Sequence, residues 1–310
     1  MSKRLAILCP GQGGQHPQMF DLARSDPQVA TLLDDWPLAA VLGGELEKTL
    51  NHEIDLFRNR FAQPLVVAAT LATWAALKAF LPRPTIVAGY SIGEVAAHAV
   101  AGSISSSDAI RIAAMRAAHM DACVQPGASQ ALLAVSGLRL PMFGHLLPVH
   151  RLFVAIETGE DRFILGGLDA AITAIAPLLH HLGGHTTRLP VGVASHTPLM
   201  DVAAADMLTA LRGYGFVDPL VSVLSGINGQ KIQQKEQVPA ALSRQVAETV
   251  RWMDCMDACH EEGIGIALEL GPGAALAGML KARHPHIDCR SVSEFRSLAG
   301  VVHWLERHLQ

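Results

Sequence analysis

The chain has 310 residues, of which 50% are hydrophobic and 17% charged, so it can bury a large core and is not expected to be disordered. Its net charge of −4 supplies no basic surface for phosphates, and we expect no nucleic-acid partner. The five cysteines are scattered and odd in number, which indicates a reducing cytoplasm rather than a disulfide framework. We expect no signal peptide, because Pro10 interrupts the first apolar run, and no membrane span, because polar side chains interrupt residues 63–81.

The first 128 residues alternate predicted strands and helices, which is typical of an α/β domain. A buried strand at residues 4–9 runs into the glycine-rich PGQGGQ of residues 10–15, where backbone N–H groups can approach a ligand closely. Residues 63–81 form an apolar helix that we expect in the core, with Pro64 in its first turn. The other predicted elements of this part are a mostly helical region at residues 26–60, a strand at 85–88 and helices at 94–101 and 108–123.

One turn in this part has the pattern of a nucleophile. GYSIG at residues 89–93 lies between a predicted strand and a predicted helix, and G-x-S-x-G in that context is typical of a nucleophile elbow. The glycines permit a strained turn, and the start of the helix offers free N–H groups to an oxyanion. The pattern alone leaves two interpretations open: a nucleophilic Ser91, or a glycine-rich turn with an unreactive serine.

Residues 129–190 follow a different order of elements. We predict strand, helix, strand, strand, helix and strand at residues 130–136, 138–147, 151–157, 162–167, 169–182 and 185–189. This β-α-β-β-α-β order is the ferredoxin-like arrangement. We therefore expect a small domain at 129–190 inserted into a larger α/β domain of residues 1–128 and 191–310, with the ligand site in the cleft between them.

The chain then returns to the larger domain and contains two groups of possible metal ligands. The predicted elements are helices at 199–213, 240–249 and 251–262, strands at 220–225 and 266–270, a turn at 228–229 and a mostly helical tail at 274–310. Cys255 and Cys259 precede His260, but the second ligand pair of a zinc site is missing. The histidines in HHLGGH, residues 180–185, are expected to be exposed to solvent. We predict no metal at either place.

Six short motifs occur in one order and spacing along the chain. They are PGQGGQ at 10–15, QP at 63–64, GYSIGE at 89–94, MR at 115–116, ASH at 194–196 and ELGPG at 269–273. In this combination the chain resembles the malonyl-CoA:acyl-carrier-protein transacylases, and the acyltransferase domains of polyketide synthases share the motifs. The resemblance covers nearly the whole chain. It implies an α/β fold with an α/β-hydrolase-like large domain and an inserted ferredoxin-like small domain.

The resemblance also implies a reaction and assigns residues to it. A malonyl group would move from CoA to the phosphopantetheine thiol of an acyl carrier protein through a seryl ester. Ser91 matches the nucleophile and His196 its general base, and the backbone carbonyl of Gln245 matches the group that orients the histidine. The backbone N–H groups of Gln12 and Ile92 match the oxyanion hole.

Arg116 matches the residue that binds the free carboxylate of malonate, for which a guanidinium has the better geometry. Without the resemblance, a solvated arginine is slightly favoured at this position, since arginine is rarely buried without a partner. No bound cofactor is expected, because malonyl-CoA is a substrate and the partner carries the phosphopantetheine. We expect a cytoplasmic monomer.

Three positions depart from the family pattern and leave the acyl group open. Tyr90 replaces the usual histidine, Thr158 stands where many members have asparagine, and Ala194 where proline is frequent. The alternatives are the malonyltransferase subunit of malonate decarboxylase, a trans-acting polyketide acyltransferase with another extender, an acyl-thioester hydrolase, and a non-catalytic module that binds carrier protein. Arg116 argues against the hydrolase, and the Ser91 and His196 pair argues against the non-catalytic module.

Overall fold

The computed structural model describes residues 3–52 and 56–309, which form a mixed α/β fold with two sheets. Residues 1–2, residues 53–55 of the predicted helical region and Gln310 of the predicted tail lie outside the described residues. The strands are β1 Arg4–Cys9, β2 Ile86–Gly89, β3 Gln130–Ser136, β4 Phe153–Gly159, β5 Arg162–Leu168, β6 His185–Arg188, β7 Ser222–Leu224, β8 Lys231–Ile232, β9 Val250–Arg251, β10 Ile264–Glu269 and β11 Asp288–Ser291.

The larger sheet has the strand order β11-β10-β1-β2-β7-β8 and is parallel except for the β7–β8 pair. Its central strand β1 is apolar and buried from Leu5 to Cys9, as expected of a strand that is covered on both faces. Leu5, Ile7 and Cys9 pack into one core cluster, whereas Ala6 and Leu8 pack into another on the opposite face. The sheet is therefore sandwiched between helices.

The helices that the structure describes are short except for two. They are α1 Asp21–Arg24, α2 Pro27–Asp35, α3 Leu38–Leu42, α4 Leu46–Leu50, α5 Asn59–Leu77, α6 Gly93–Val100, α7 Ser106–Ala122, α8 Leu140–Phe143, α9 Leu146–His150, α10 Asp169–His181, α11 Asp201–Leu211, α12 Val238–Ala247, α13 Trp252–Glu261, α14 Ala275–Arg283 and α15 Leu298–Leu309. Helices α5 and α7 pack against each other and against α6.

Helix α5 begins at Asn59 rather than at residue 63, which places Pro64 inside the helix and not in its first turn. With the short turn that follows it, the helix spans Asn59–Phe80, and by length and composition alone it could cross a membrane. However, 78% of its apolar window is buried inside the protein. Core helices of this kind are apolar all round because protein surrounds them.

The second sheet has the strand order β6-β3-β5-β4-β9. The pairs β3–β6, β3–β5 and β4–β5 are antiparallel, and α8, α9 and α10 connect the strands in the order β-α-β-β-α-β. Strand β9 comes from a distant part of the chain and adds to β4 in parallel. This addition joins the second sheet to the segment that leads into α13.

Several elements differ from the sequence-based expectations. The single helix predicted at 138–147 is two short helices, α8 and α9, because the N–H of Leu147 bonds to Gly144 in a tight turn. The tail contains strand β11, which pairs with β10 through Asp288 to Ser291. Its sequence, DCRS, has no apolar run, so only its neighbour in the sheet determines that it is a strand.

Candidate active site

Ser91 lies on a strained turn between β2 and α6. Its φ of 53° is in the left-handed region, which non-glycine residues rarely adopt. A Cβ at Gly89 would overlap the backbone of Glu94, and a Cβ at Gly93 would overlap the carbonyl of Cys9. The two glycines are therefore required for the close packing of strand, turn and helix that presents the hydroxyl of Ser91.

His196 faces Ser91 from the segment that follows β6. The φ of His196 is 62°, and its backbone N–H donates to the carbonyl of Val246 at 2.8 Å, which ties this segment to the end of α12. The imidazole Nδ1 lies 2.5 Å from the carbonyl oxygen of Gln245, and Nε2 lies 2.7 Å from Ser91 Oγ. Since a carbonyl only accepts, Nδ1 carries the proton and Nε2 is free to accept the proton of Ser91.

The electrostatic environment keeps His196 neutral. Burial and, next, the positive charge of Arg116 lower the pKa of His196 to about 3, against the raising effect of the Gln245 carbonyl. At neutral pH the imidazole is therefore a base, and it is oriented by a hydrogen bond before any substrate arrives.

Arg116 on α7 is 1% exposed, so the interpretation as a solvated arginine was wrong. Its Nη1 donates to Gln63 Oε1 at 2.8 Å, and its Nη2 lies 3.2 Å from Gln245 Oε1 and 3.4 Å from Ser91 Oγ. Burial lowers the pKa of Arg116 to about 10, so the guanidinium stays charged at neutral pH. It has no salt bridge to any carboxylate of residues 3–52 and 56–309.

The side chain of Gln245 connects the groups around Ser91. Its Nε2 donates to the carbonyl of Ser91 at 2.9 Å and to Glu94 Oε2 at 2.7 Å, while its Oε1 accepts from Arg116. Glu94 also accepts from the N–H of Gly226 at 3.0 Å, and burial raises the pKa of its carboxyl to about 7. Sequence reasoning assigned no role to Glu94 or Gln63, although both belong to quoted motifs.

A cavity of about 230 Å³ opens at Ser91 and His196. The glycine-rich loop of residues 10–14 forms one wall together with residues 272–279. Another part of the lining is apolar and comes from the second sheet, through Leu132, Ile156 and Ile164. The lining of the cavity therefore combines the loops of the larger sheet with strands of the second sheet.

The backbone N–H groups of Gln12 and Ile92 are both near Ser91 in the fold. Ile92 is the N-cap of α6, directly after Ser91, and Gln12 lines the cavity in the loop after β1. Within the described part of the chain, neither N–H donates to a protein acceptor. Both remain available to an acceptor in the cavity.

The three positions that depart from the family pattern lie in different surroundings. Tyr90 lines the cavity and packs its ring edge-on against Trp252, with centroids 5.3 Å apart. The N–H of Ala194 donates to Gln130 Oε1 at 2.8 Å, a bond that proline could not make. Thr158 is not brought to the cavity, because it bonds to the carbonyl of Arg162 at the β4–β5 turn.

The cysteines considered as metal ligands are buried inside the protein. Cys255 is 1% exposed and Cys259 2% exposed, whereas His260 lies at the surface near His284 and His286. In the other group of possible ligands, the histidines of residues 180–185, the Nε2 atom of His180 lies 2.7 Å from the hydroxyl of Thr186.

The fold and site geometry agree with a single family. Residues 7–295 match the model of the acyl transferase domain, and the chain belongs to this family of acyltransferases. Among its relatives is the malonyl CoA-acyl carrier protein transacylase of Mycobacterium tuberculosis, which is 30% identical over 93% of this chain and 96% of the relative.

Two further relatives represent other members of the family. Polyketide synthase GfsB of Streptomyces halstedii is 31% identical over 90% of this chain, which spans only 5% of that protein. A malonyl-transacylase solved in complex with a type II polyketide synthase acyl-carrier protein superposes with a TM-score of 0.89 at 27% identity, over 97% of this chain and 99% of the other. The mixed α/β fold is thus that of the solved transacylases.

Proposed function

We propose that this acyltransferase moves a malonyl group from CoA to the phosphopantetheine thiol of an acyl carrier protein. The observation that carries the proposal is the position of Ser91 Oγ, 2.7 Å from His196 Nε2 and 3.4 Å from the buried guanidinium of Arg116. A nucleophile and a base therefore meet at the cavity, and a buried cation that can pair with a carboxylate lies beside the nucleophile.

In the first half-reaction, Ser91 is the nucleophile and His196 the general base. The proton of Ser91 Oγ moves to His196 Nε2 as Oγ forms a bond to the thioester carbonyl of malonyl-CoA. The C–S bond then breaks, and the proton passes from His196 to the departing CoA sulfur. The carbonyl of Gln245, 2.5 Å from Nδ1, orients the ring in place of the carboxylate of a triad.

The oxyanion that forms on the thioester carbonyl would accept from the N–H groups of Gln12 and Ile92. Neither N–H has a protein acceptor in the described part of the chain, and Ile92 lies at the positive end of the dipole of α6. Hydrogen bonds from these donors are strongest when negative charge develops on the carbonyl oxygen. They therefore stabilise the transition state more than the bound substrate and lower the activation barrier.

Arg116 would bind the free carboxylate of the malonyl group. A buried cation without an ion-pair partner carries a desolvation cost that an anionic ligand offsets. The hydrogen bonds from Arg116 to Gln63 and Gln245 hold the guanidinium in place before the substrate binds. A substrate without this carboxylate would leave the cation unpaired.

In the second half-reaction the acyl group passes from Ser91 to the thiol of the carrier protein. We infer an acyl carrier protein as the partner from the relative whose structure contains one. The phosphopantetheine belongs to that partner, so no bound cofactor is needed. We place this chemistry in the cytoplasm, since the five cysteines are all free thiols.

We also propose that the fold consists of an α/β-hydrolase-like domain, residues 1–128 and 191–310, and a ferredoxin-like domain at 129–190. The parallel sheet with helices on both faces and the elbow after β2 support the first assignment. The order β6-β3-β5-β4 with antiparallel pairing supports the second. Strand β9 then extends the sheet of the small domain from outside it.

A polyketide acyltransferase with another extender is the second candidate. Two observations support this candidate. The chain is similar to GfsB, and Tyr90, which replaces the usual histidine, lines the cavity. The malonyltransferase subunit of malonate decarboxylase uses the same first half-reaction. The charged Arg116 argues against a hydrolase of uncharged acyl thioesters.

The test is the mass of the intact protein after brief exposure to a panel of acyl-CoAs. Malonyl-CoA should add one malonyl group to the wild type, and Ser91→Ala should abolish the adduct. Ser195→Ala, next to His196 and also at the cavity, is the matched control and should still acylate. An adduct that persists in Ser91→Ala would place the nucleophile elsewhere, and preference for another acyl-CoA would favour the second candidate.

A further inference from the structure

Three histidines from two parts of the chain meet at the surface, away from the cavity. His260 lies in the last turn of α13, His284 is the C-cap of α14, and His286 precedes β11. His260 Nδ1 and His286 Nε2 are 2.9 Å apart, and one ring nitrogen from each of the three lies within 4.8 Å of the others. None of them lines the cavity at Ser91.

These distances suit a metal ion with imidazole ligands. Zinc binds histidine nitrogens at about 2.0–2.1 Å in tetrahedral sites, which separates neighbouring ligand atoms by roughly 3.3 Å. The observed separations, from 2.9 Å to at most 4.8 Å, bracket that value. His260 and His284 have stacked rings with centroids 5.0 Å apart, so binding of one ion by all three nitrogens requires side-chain rotation, which the exposure of His260 and His286 permits.

The carboxylate of Asp257 orients one of the rings. Asp257 Oδ1 accepts from His284 Nε2 at 2.9 Å, which leaves Nδ1 as the nitrogen that a cation can bind. Arg283 donates to both oxygens of the same carboxylate, at 2.5 and 2.6 Å, and fixes it in turn. Metal-binding histidines almost always have such a partner on the nitrogen that faces away from the metal.

We propose that His260, His284 and His286 form a binding site for a divalent transition metal ion, with Asp257 as the residue that positions His284. Imidazole suits zinc, nickel and copper, and water would complete the coordination of a site with three protein ligands. The bound ion would connect the end of α13 to the segment between α14 and β11, and so stabilise the folded state. Cys255 and Cys259 take no part, because both are buried.

The test is a titration of the full-length, tag-free chain with zinc chloride, followed by calorimetry and by the melting temperature. We expect the wild type to bind one zinc ion and to melt at a higher temperature with zinc than without it, because binding to the folded state stabilises that state. His260→Ala and His286→Ala should each weaken binding at least about tenfold, and Asp257→Asn should weaken it by about 10- to 100-fold.

His185→Ala is the matched control, since it removes an exposed histidine from the other histidine-rich loop. It should bind zinc as the wild type does. Melting temperatures without zinc show whether each variant is folded, and both His260 and His286 are exposed, so their removal leaves the core intact. No stoichiometric binding by the wild type, or equal affinity in His260→Ala, His286→Ala and His185→Ala, would overturn the proposal.

Discussion

Arg116 is the residue on which acyl-group selectivity depends. If its guanidinium pairs with the substrate carboxylate in the buried site, Arg116→Ala should lower kcat/KM for malonyl-CoA by about 30- to several-thousand-fold, the usual loss of about 2–5 kcal/mol for such a pair. Acetyl-CoA has no free carboxylate, so its kcat/KM should be unchanged or higher.

The control for this variant is Arg111→Ala on the same helix, whose side chain is about half exposed and pairs with Asp108. Arg111→Ala should leave kcat/KM for both substrates nearly unchanged. Steady-state kinetics with malonyl-CoA and acetyl-CoA measure both effects. An equal loss for the two substrates in Arg116→Ala would mean that this arginine supports the fold rather than the acyl group.

The low pKa of His196 leads to a prediction about pH. Because that pKa is lowered to about 3, the base stays neutral from pH 7 down to pH 5.5, where an ordinary histidine would lose about tenfold of its basic form. The kcat/KM for acylation should therefore stay level over this range as far as His196 is concerned. Glu94, with a pKa of about 7, titrates in the same range, so the profile is measured in both the wild type and Glu94→Gln.

His196→Ala should lower acylation by about 10²- to 10⁴-fold, the usual contribution of a positioned base. Single-turnover acylation at a normal rate in that variant would remove His196 from the mechanism. A fall of about tenfold by pH 5.5 in both the wild type and Glu94→Gln would contradict the depressed pKa.

The resemblance to a known family selected Ser91, His196 and Arg116 from the sequence, and these three side chains lie close together in the fold. The sequence could not show that Gln245 uses its side chain as well as its carbonyl, or that Glu94 is buried beside it. The side-chain contacts of Gln245 with Ser91, Glu94 and Arg116 join residues more than 100 positions apart, so only the folded chain brings them together.

At the scale of single elements, the elbow depends on the absence of a side chain at Gly93. Gly93→Ala would force its Cβ against the carbonyl of Cys9, so we expect the free energy of unfolding to fall by about 1–3 kcal/mol or more. Gly278→Ala is the matched control, because Gly278 lies in the exposed middle of α14 with open space around it.

The control should gain about 0.5–1 kcal/mol, since alanine favours a helix over glycine. Urea denaturation of the two variants measures both changes. Equal stability of Gly93→Ala and the wild type would show that the turn tolerates a side chain, and the strained geometry of Ser91 would then need another cause.

Apolar runs and helix periodicity predicted most elements near their true positions. The failures have local causes: β11 has no apolar pattern, α8 and α9 are separated by a turn at Gly144, and β9 has only two residues. Such elements depend on their neighbours in the fold more than on their own sequence.

At the scale of the whole molecule, the two sheets contribute different kinds of side chain to the cavity. The second sheet contributes the apolar side chains Leu132, Ile156 and Ile164 to the lining of the cavity that also contains Ser91. Ile164→Ala should therefore leave malonyl transfer nearly unchanged but raise kcat/KM for methylmalonyl-CoA relative to malonyl-CoA by about tenfold, the lower range for one methyl group in an apolar pocket.

Val149→Ala serves as the control, since Val149 is 76% exposed and lies outside the cavity. Val149→Ala should leave the ratio of kcat/KM for methylmalonyl-CoA to kcat/KM for malonyl-CoA as it is in the wild type. The same ratio in Ile164→Ala and in Val149→Ala would mean that the second sheet does not limit the size of the acyl group.

The most direct test of malonyl transfer starts from the acylated protein. Wild type is exposed to malonyl-CoA, separated from free CoA, and mixed with carrier protein that either bears phosphopantetheine or lacks it. Transfer predicts that the malonyl group leaves Ser91 rapidly and appears by mass spectrometry on the phosphopantetheine form, while it stays on the enzyme with the form that lacks the thiol. Loss of the malonyl group to water at the same rate in both mixtures would contradict the transferase and indicate a hydrolase.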